Sequence, residues 1–220
     1  MLLNKEYFIN LNKKFDEYSK ENNSEQEYEI IEGKLPVLIS APHSVRQFRN
    51  GKIKAKDSYT GVIAIILQKE TNCSCIYKIK NNNNDANYDL ENNKYKEELL
   101  RIINEKNIKL LLDIHGASDK YGFGIDIATD NEINLNGKEI ILKTLKETLE
   151  EFKIDDVVVD EIFRAHSIRT ICKTVSSKIK IPCIELEIAR KYRNIEDFEQ
   201  IKKIIEAIKE SIMRINKILC

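Results

Sequence analysis

The chain of 220 residues carries 36 Lys and Arg against 36 Asp and Glu, so its formal net charge is zero. A chain of this length buries roughly 70% of its unfolded surface and needs neither disulfide nor metal merely to fold, and its 33% charged residues, with no apolar run near the ~20 residues that span a bilayer, exclude membrane insertion. The balanced charge argues against a dedicated nucleic-acid binder, whose affinity rests on an excess of cations over the phosphate backbone.

Phe8, Leu11, Phe15 and Tyr18 recur at helical spacing and predict an amphipathic helix over 5–20, packed as an N-terminal piece (1–22) on a single domain covering 1–220. Residues 27–31 alternate weakly, and Val37-Leu38-Ile39-Ser40 predicts a buried strand stopped by Ala41-Pro42-His43-Ser44. A helix over 60–67, a strand over 73–79, a helix over 95–103 and a strand over 110–114, ended by His115-Gly116, follow. Next come a strand over 123–128, a helix over 140–152, short strands over 157–159 and 170–175, and a strand over 181–188. The final helix starts near Asn194, a suitable N-cap, and runs through Ile215. Strands alternating with helices predict an α/β fold: a three-layer αβα domain whose mixed, mostly parallel sheet is flanked by helices. The five cysteines, Cys73, Cys75, Cys172, Cys183 and Cys220, lack CxxC spacing and read as reduced thiols. With no signal-like N-terminal segment, they point to the cytoplasm.

Two of the three histidines, His43 and His115, follow apolar strands within one or two residues. Strand ends of open α/β sheets border the crevice where ligands bind. Glu185 and Glu187 end a third strand on one shared face. Two imidazoles and a carboxylate form a hydrolytic zinc set with one position open for water. The carboxylate can come from Glu187 or from Asp57, just before the helix that follows the His43 loop; with Asp57 as ligand, Glu187 is left as general base. Asp113, two residues before His115, can fix an imidazole tautomer. Arg164, Arg169 and Arg190 carry the guanidinium fork that fits a substrate carboxylate, and His166 lies in the same basic loop as the first two. Rival readings are a serine or cysteine hydrolase, with Ser118 beside His115 or Ser44 beside His43, against which stand the missing Gly-x-Ser-x-Gly elbow and the buried character of Cys73 and Cys75, and a binding domain without catalysis.

Pro42-His43-Ser44, Asp57, Asp85-Ala86-Asn87, Asp113-Ile114-His115-Gly116 and Glu185-Leu186-Glu187-Ile188-Ala189-Arg190, in this order, resemble the N-formylglutamate amidohydrolase family from about residue 35 to 195. The resemblance implies a zinc-carboxypeptidase or phosphorylase/hydrolase-like fold. It also implies one zinc ion held by His43, Asp57 and His115, with water activated by Glu187. Asn87 and the arginines would meet the substrate, a small N-acyl amino acid like N-formylglutamate or a short peptide, and Arg190 would support its strand end. Val45 stands where the family has Gly, and Tyr88 where it has Arg; Arg164 or Arg169 is the candidate to replace that charge. A carboxypeptidase-like metallopeptidase and an inactive zinc-binding or ligand-binding domain of this fold are the alternatives.

Overall fold

The computed structural model describes residues 4–20, 25–90 and 93–219. Nine strands lie within them: β1 (Tyr28–Ile31), β2 (Leu35–Ala41), β3 (Gln47–Arg49), β4 (Lys52–Lys54), β5 (Cys73–Lys78), β6 (Leu110–Ala117), β7 (Ile125–Ala128), β8 (Val157–Val159) and β9 (Cys183–Ala189). The α-helices are α1 (Lys5–Tyr18), α2 (Thr60–Thr71), α3 (Lys94–Glu105), α4 (Glu139–Glu151), α5 (Ile171–Lys178) and α6 (Phe198–Leu219).

Seven strands form one sheet in the order β1-β5-β2-β6-β9-β7-β8. The central four are parallel, β1 and β7 join them antiparallel, and β8 runs parallel to β7. β2 and the first half of β6 read as nearly continuous apolar runs because both of their faces are covered. Ile39, Leu112, Ile114 and Leu186 pack in one core with residues of α1, α2, α4 and α6, whereas Leu38, Ile76, Leu111 and Cys183 pack in another with residues of α3 and α5. The expected three-layer, mostly parallel architecture is therefore present.

Chain direction places the site. From β2 the chain passes through α2 to β5 on one side, then returns through α3 to β6 on the other side of β2. The strand order reverses between β2 and β6, which is where ligand crevices open at the carboxyl ends of parallel strands.

Three details differ from the sequence reading. Residues 170–175 are not a strand: Thr170 caps the N-terminus of α5, accepting from the Lys173 N–H at 3.2 Å. Ile171, Cys172 and Val175 fall on one helical face and are buried there, so helical packing overrides the β-branched composition. His115 lies inside β6, which continues to Ala117 because β9 pairs with it along the whole stretch. Asn194 caps a 3-10 turn over Ile195–Asp197, and α6 begins only at Phe198.

Cys73, Cys75, Cys172 and Cys183 are buried and unpaired, and Cys220 lies outside the described residues, as do parts of the 1–22 segment. Among the described residues no helix is long and apolar enough to cross a membrane.

Candidate metal centre

The carboxyl ends of β2, β6 and β9 open into a cleft of about 850 Å³ whose lining includes His43, Asp57, His115, Glu185 and Glu187. In the parallel register of β6 and β9, Asp113 stands opposite Glu185 and His115 opposite Glu187. Alternation along a strand puts all four on the α3/α5 face. His43 follows the end of β2, and the Asp57 backbone N–H donates to the His43 carbonyl at 2.8 Å, folding the Asp57 segment back onto it.

Three atoms converge. His43 Nδ1 lies 3.1 Å from His115 Nδ1 and 3.3 Å from Asp57 Oδ2, and His115 Nδ1 lies 3.6 Å from the same oxygen. Each imidazole is gripped on its other nitrogen: His43 Nε2 by Asp85 Oδ1 at 2.9 Å, His115 Nε2 by Asp113 Oδ2 at 3.0 Å. Both carboxylates are fully buried. This network assigns the neutral-ring protons to Nε2 and leaves both Nδ1 lone pairs aimed at one point with the Asp57 oxygen. Ligand atoms around a tetrahedral zinc at ~2.0–2.1 Å stand roughly 3.3–3.4 Å apart. The donor set and its spacing thus fit a zinc ion, with a carboxylate behind each imidazole as zinc-binding histidines have.

The electrostatics agree with a cation at this point. Burial opposes a charged imidazole at His43, yet contacts with Asp57 and Asp85 push it up to about 9, and His115 is raised against burial by Asp113 and Glu185. Asp57, despite burial, is held well below the usual carboxylate range by His115 and His43. Two cationic rings facing each other at 3.1 Å repel; one metal ion between neutral rings removes that conflict. The Glu187 carboxylate makes no hydrogen bond among the described residues. Burial, against the pull of His115 and reinforced by Glu185 and Asp57, pushes its carboxyl up to about 8.

The other expected residues fall in different places. Asn87 lines the cleft but holds structure: its Nδ2 donates to Glu185 Oε2 at 3.1 Å and its Oδ1 accepts from the Ile171 N–H at 2.7 Å. Arg164 and His166 are exposed at the cleft. Arg169 lies over the Tyr88 ring at 4.8 Å and donates to the Tyr88 carbonyl, outside the cleft lining. Arg190 is exposed at the start of a 3-10 turn and likewise outside the lining. Ser44 Oγ donates to the Lys78 carbonyl at 2.6 Å and Ser118 caps the turn at Asp119, so neither hydroxyl is paired with a histidine.

Several contributors escaped the sequence reading. Arg193, buried, ties together the segments that carry Asp57, His115 and Glu187, donating to the carbonyls of Ser58 (2.6 Å), Ala117 (2.9 Å) and Ile188 (3.0 Å). Gly116 makes room for it, since a Cβ there would lie 2.5 Å from Arg193 Cζ. The hairpin β3–β4 supplies Gln47, Arg49 and Lys54 to the cleft. Arg49 pairs with Asp85 Oδ2 at 2.7–2.8 Å, and its guanidinium lies over the Tyr88 ring, 4.9 Å from the ring centre. Asn50-Gly51 at the hairpin tip, with φ of 52° and 74°, is the turn signal that announces it. For Arg193 there is no local signal, because its partners lie up to 135 residues away.

No protein-family model matches the sequence, and no curated protein matches it either. Solved structures do match. The structure of gene product Atu2144 from Agrobacterium tumefaciens has a TM-score of 0.65 at 11% identity, covering 91% of this chain and 97% of that one. N-formylglutamate amidohydrolase from Ralstonia eutropha JMP134 gives 0.60 at 11% identity over 87% and 97%. A metallo-carboxypeptidase from Burkholderia cenocepacia gives 0.55 at 11% identity over 91% and 68%. The chain shares their fold.

Proposed function

We propose that the protein is a zinc-dependent amide hydrolase acting on a small N-acyl amino acid or a short peptide, with His43, Asp57 and His115 as the metal ligands and Glu187 as general base. The convergence of the two Nδ1 atoms and Asp57 Oδ2 within 3.1–3.6 Å carries this reading. The fold shared with an N-formylglutamate amidohydrolase and a metallo-carboxypeptidase supports the reaction class.

A zinc ion held there supplies Lewis acidity toward the scissile carbonyl and toward water. Glu187, without a competing hydrogen bond and opposite His115 in register, takes the proton of the attacking water and delivers it to the leaving nitrogen, so that the amide C–N bond breaks to a carboxylate and an amine. Asp85 and Asp113 keep both ring protons on Nε2. Arg164, exposed at the cleft, offers its fork to a substrate carboxylate.

Elemental analysis of protein purified without added metal tests the site. The expected result is about one zinc per chain, lost in His43→Ala and His115→Ala, together with hydrolysis of at least one member of a panel of N-formyl and N-acetyl amino acids and dipeptides. Failure to take up zinc on reconstitution would overturn the proposal.

A further inference from the structure

We infer that one wall of the cleft is an apolar subsite, built from Tyr121, Ile162 and Phe163, that receives a bulky aromatic or aliphatic side chain of the ligand next to its carboxylate. This takes the amide-hydrolase reading for the bond that is cut, but not for what is bound.

The rings of Tyr121 and Phe123 stack with centroids 6.0 Å apart and planes 4° apart, and both meet Phe163 edge-on at 5.3 and 6.1 Å. Tyr121 and Phe163 line the cleft together with Ile162. Tyr121 is 37% exposed and Ile162 47% exposed. Adjacent large apolar groups left open inside a concave site mark ligand contact more than chance exposure.

The loop that presents Ile162 and Phe163 is fixed along its backbone. Buried Asp126 accepts the backbone N–H groups of Glu161 at 3.3 Å and of Ile162 and Phe163 at 2.9 Å each. Asp160 fastens the start of the same loop, accepting from the Thr129 N–H (2.7 Å) and hydroxyl (2.6 Å) and from the N–H groups of Asp130 (3.1 Å) and Asn131 (3.0 Å). A backbone held by hydrogen bonds to two buried carboxylates keeps the loop in place at the cleft.

Charge completes the ligand. Arg164 follows Phe163 directly, and its Nε donates to the Asp160 carbonyl at 3.2 Å, which anchors the guanidinium beside the apolar wall. The Lys120 ammonium lies 4.9 Å from the Tyr121 ring centre. An apolar side chain against Tyr121, Ile162 and Phe163 gains by burial and leaves the ligand's carboxylate for Arg164 and Lys120. The ligand class is therefore an N-acyl derivative of an aromatic or large aliphatic amino acid.

Titration calorimetry with zinc-loaded Glu187→Gln protein, using N-acetyl-L-phenylalanine and N-acetyl-L-glutamate as probes, tests the subsite. The phenylalanine compound should bind about tenfold tighter or more. Tyr121→Ala and Ile162→Asn, both at exposed positions, should each reduce that ratio by at least about threefold while melting within a few degrees of the parent. Equal or tighter binding of the glutamate compound, an unmoved ratio in both variants, or no binding of either probe at millimolar concentration would overturn the inference. A preserved preference in binding, with no amide hydrolysed by the unmutated protein, would overturn the hydrolase reading and leave the subsite standing.

Discussion

Asp85 reaches His43 across 42 residues of sequence, Oδ1 to Nε2 at 2.9 Å, and by taking that nitrogen it leaves Nδ1 facing His115. Asp113 does the same for His115 from two residues away on the same strand. The inner donor atoms are set by acids that themselves stand outside the triad.

Replacing those acids should therefore cost metal rather than fold. Asp85→Asn and Asp113→Asn are each expected to weaken zinc binding by about 10- to 100-fold with all three proposed ligands intact. Competition with a chromophoric chelator reads this directly. Unchanged affinity in both would mean that the ring orientation is set some other way.

In the proposed mechanism Glu187 serves turnover and not metal binding. Glu187→Gln is expected to retain zinc and to lower kcat by at least ~10²- to 10⁴-fold, the usual worth of a positioned acid-base group. Activity within a few fold of the parent would assign the proton transfer elsewhere.

Much of this was legible in the sequence, for identifiable reasons. The buried strands at 37–40 and 110–114 announce themselves as apolar runs, the strand at 181–188 carries its two glutamates on one face, and the placement of His43, His115 and Glu187 toward the carboxyl ends follows from the parallel sheet. Thr170-Ile171-Cys172 misled because β-branched residues favour strands, whereas burial against β9 and the Thr170 cap decide for a helix. The grips on the site from Asp85, Asp126 and Arg193 are long-range contacts that no local pattern encodes. The hairpin β3–β4 had its signal in Asn50-Gly51.

Gly116 is required by Arg193. A methyl group at this position would lie 2.5 Å from Cζ and within 2.7 Å of both terminal nitrogens of a guanidinium that is already held by three carbonyls. Gly116→Ala is expected to destabilise the fold by about 1–3 kcal/mol, the range for overpacking. Urea unfolding measures it, and a loss below ~0.5 kcal/mol would show that Arg193 moves aside without cost.

Lys78 should give stability a pH signature. Burial pushes its ammonium down from 10.5 to about 8, only partly offset by Asp85 and Glu27. Between those two values the unfolded chain binds a proton that the folded chain has released, so this residue's contribution to stability rises with pH across the window. The unfolding free energy of the parent minus that of Lys78→Met is expected to grow by on the order of 2–3 kcal/mol from pH 7.5 to 10.5. A flat difference would place the ammonium in contact with water.

The buried carboxylates of Asp126 and Asp160 bear on kinetics as well as on shape. Because they take up the backbone N–H groups at 161–163 and 129–131, one wall of the cleft is in its final form before anything arrives. The conformational entropy of that wall is spent during folding, so association is expected to run as a single bimolecular phase, linear in ligand concentration in a stopped-flow trace, with no slow closing step behind it. Differences in affinity among related ligands then reside in how fast each one leaves.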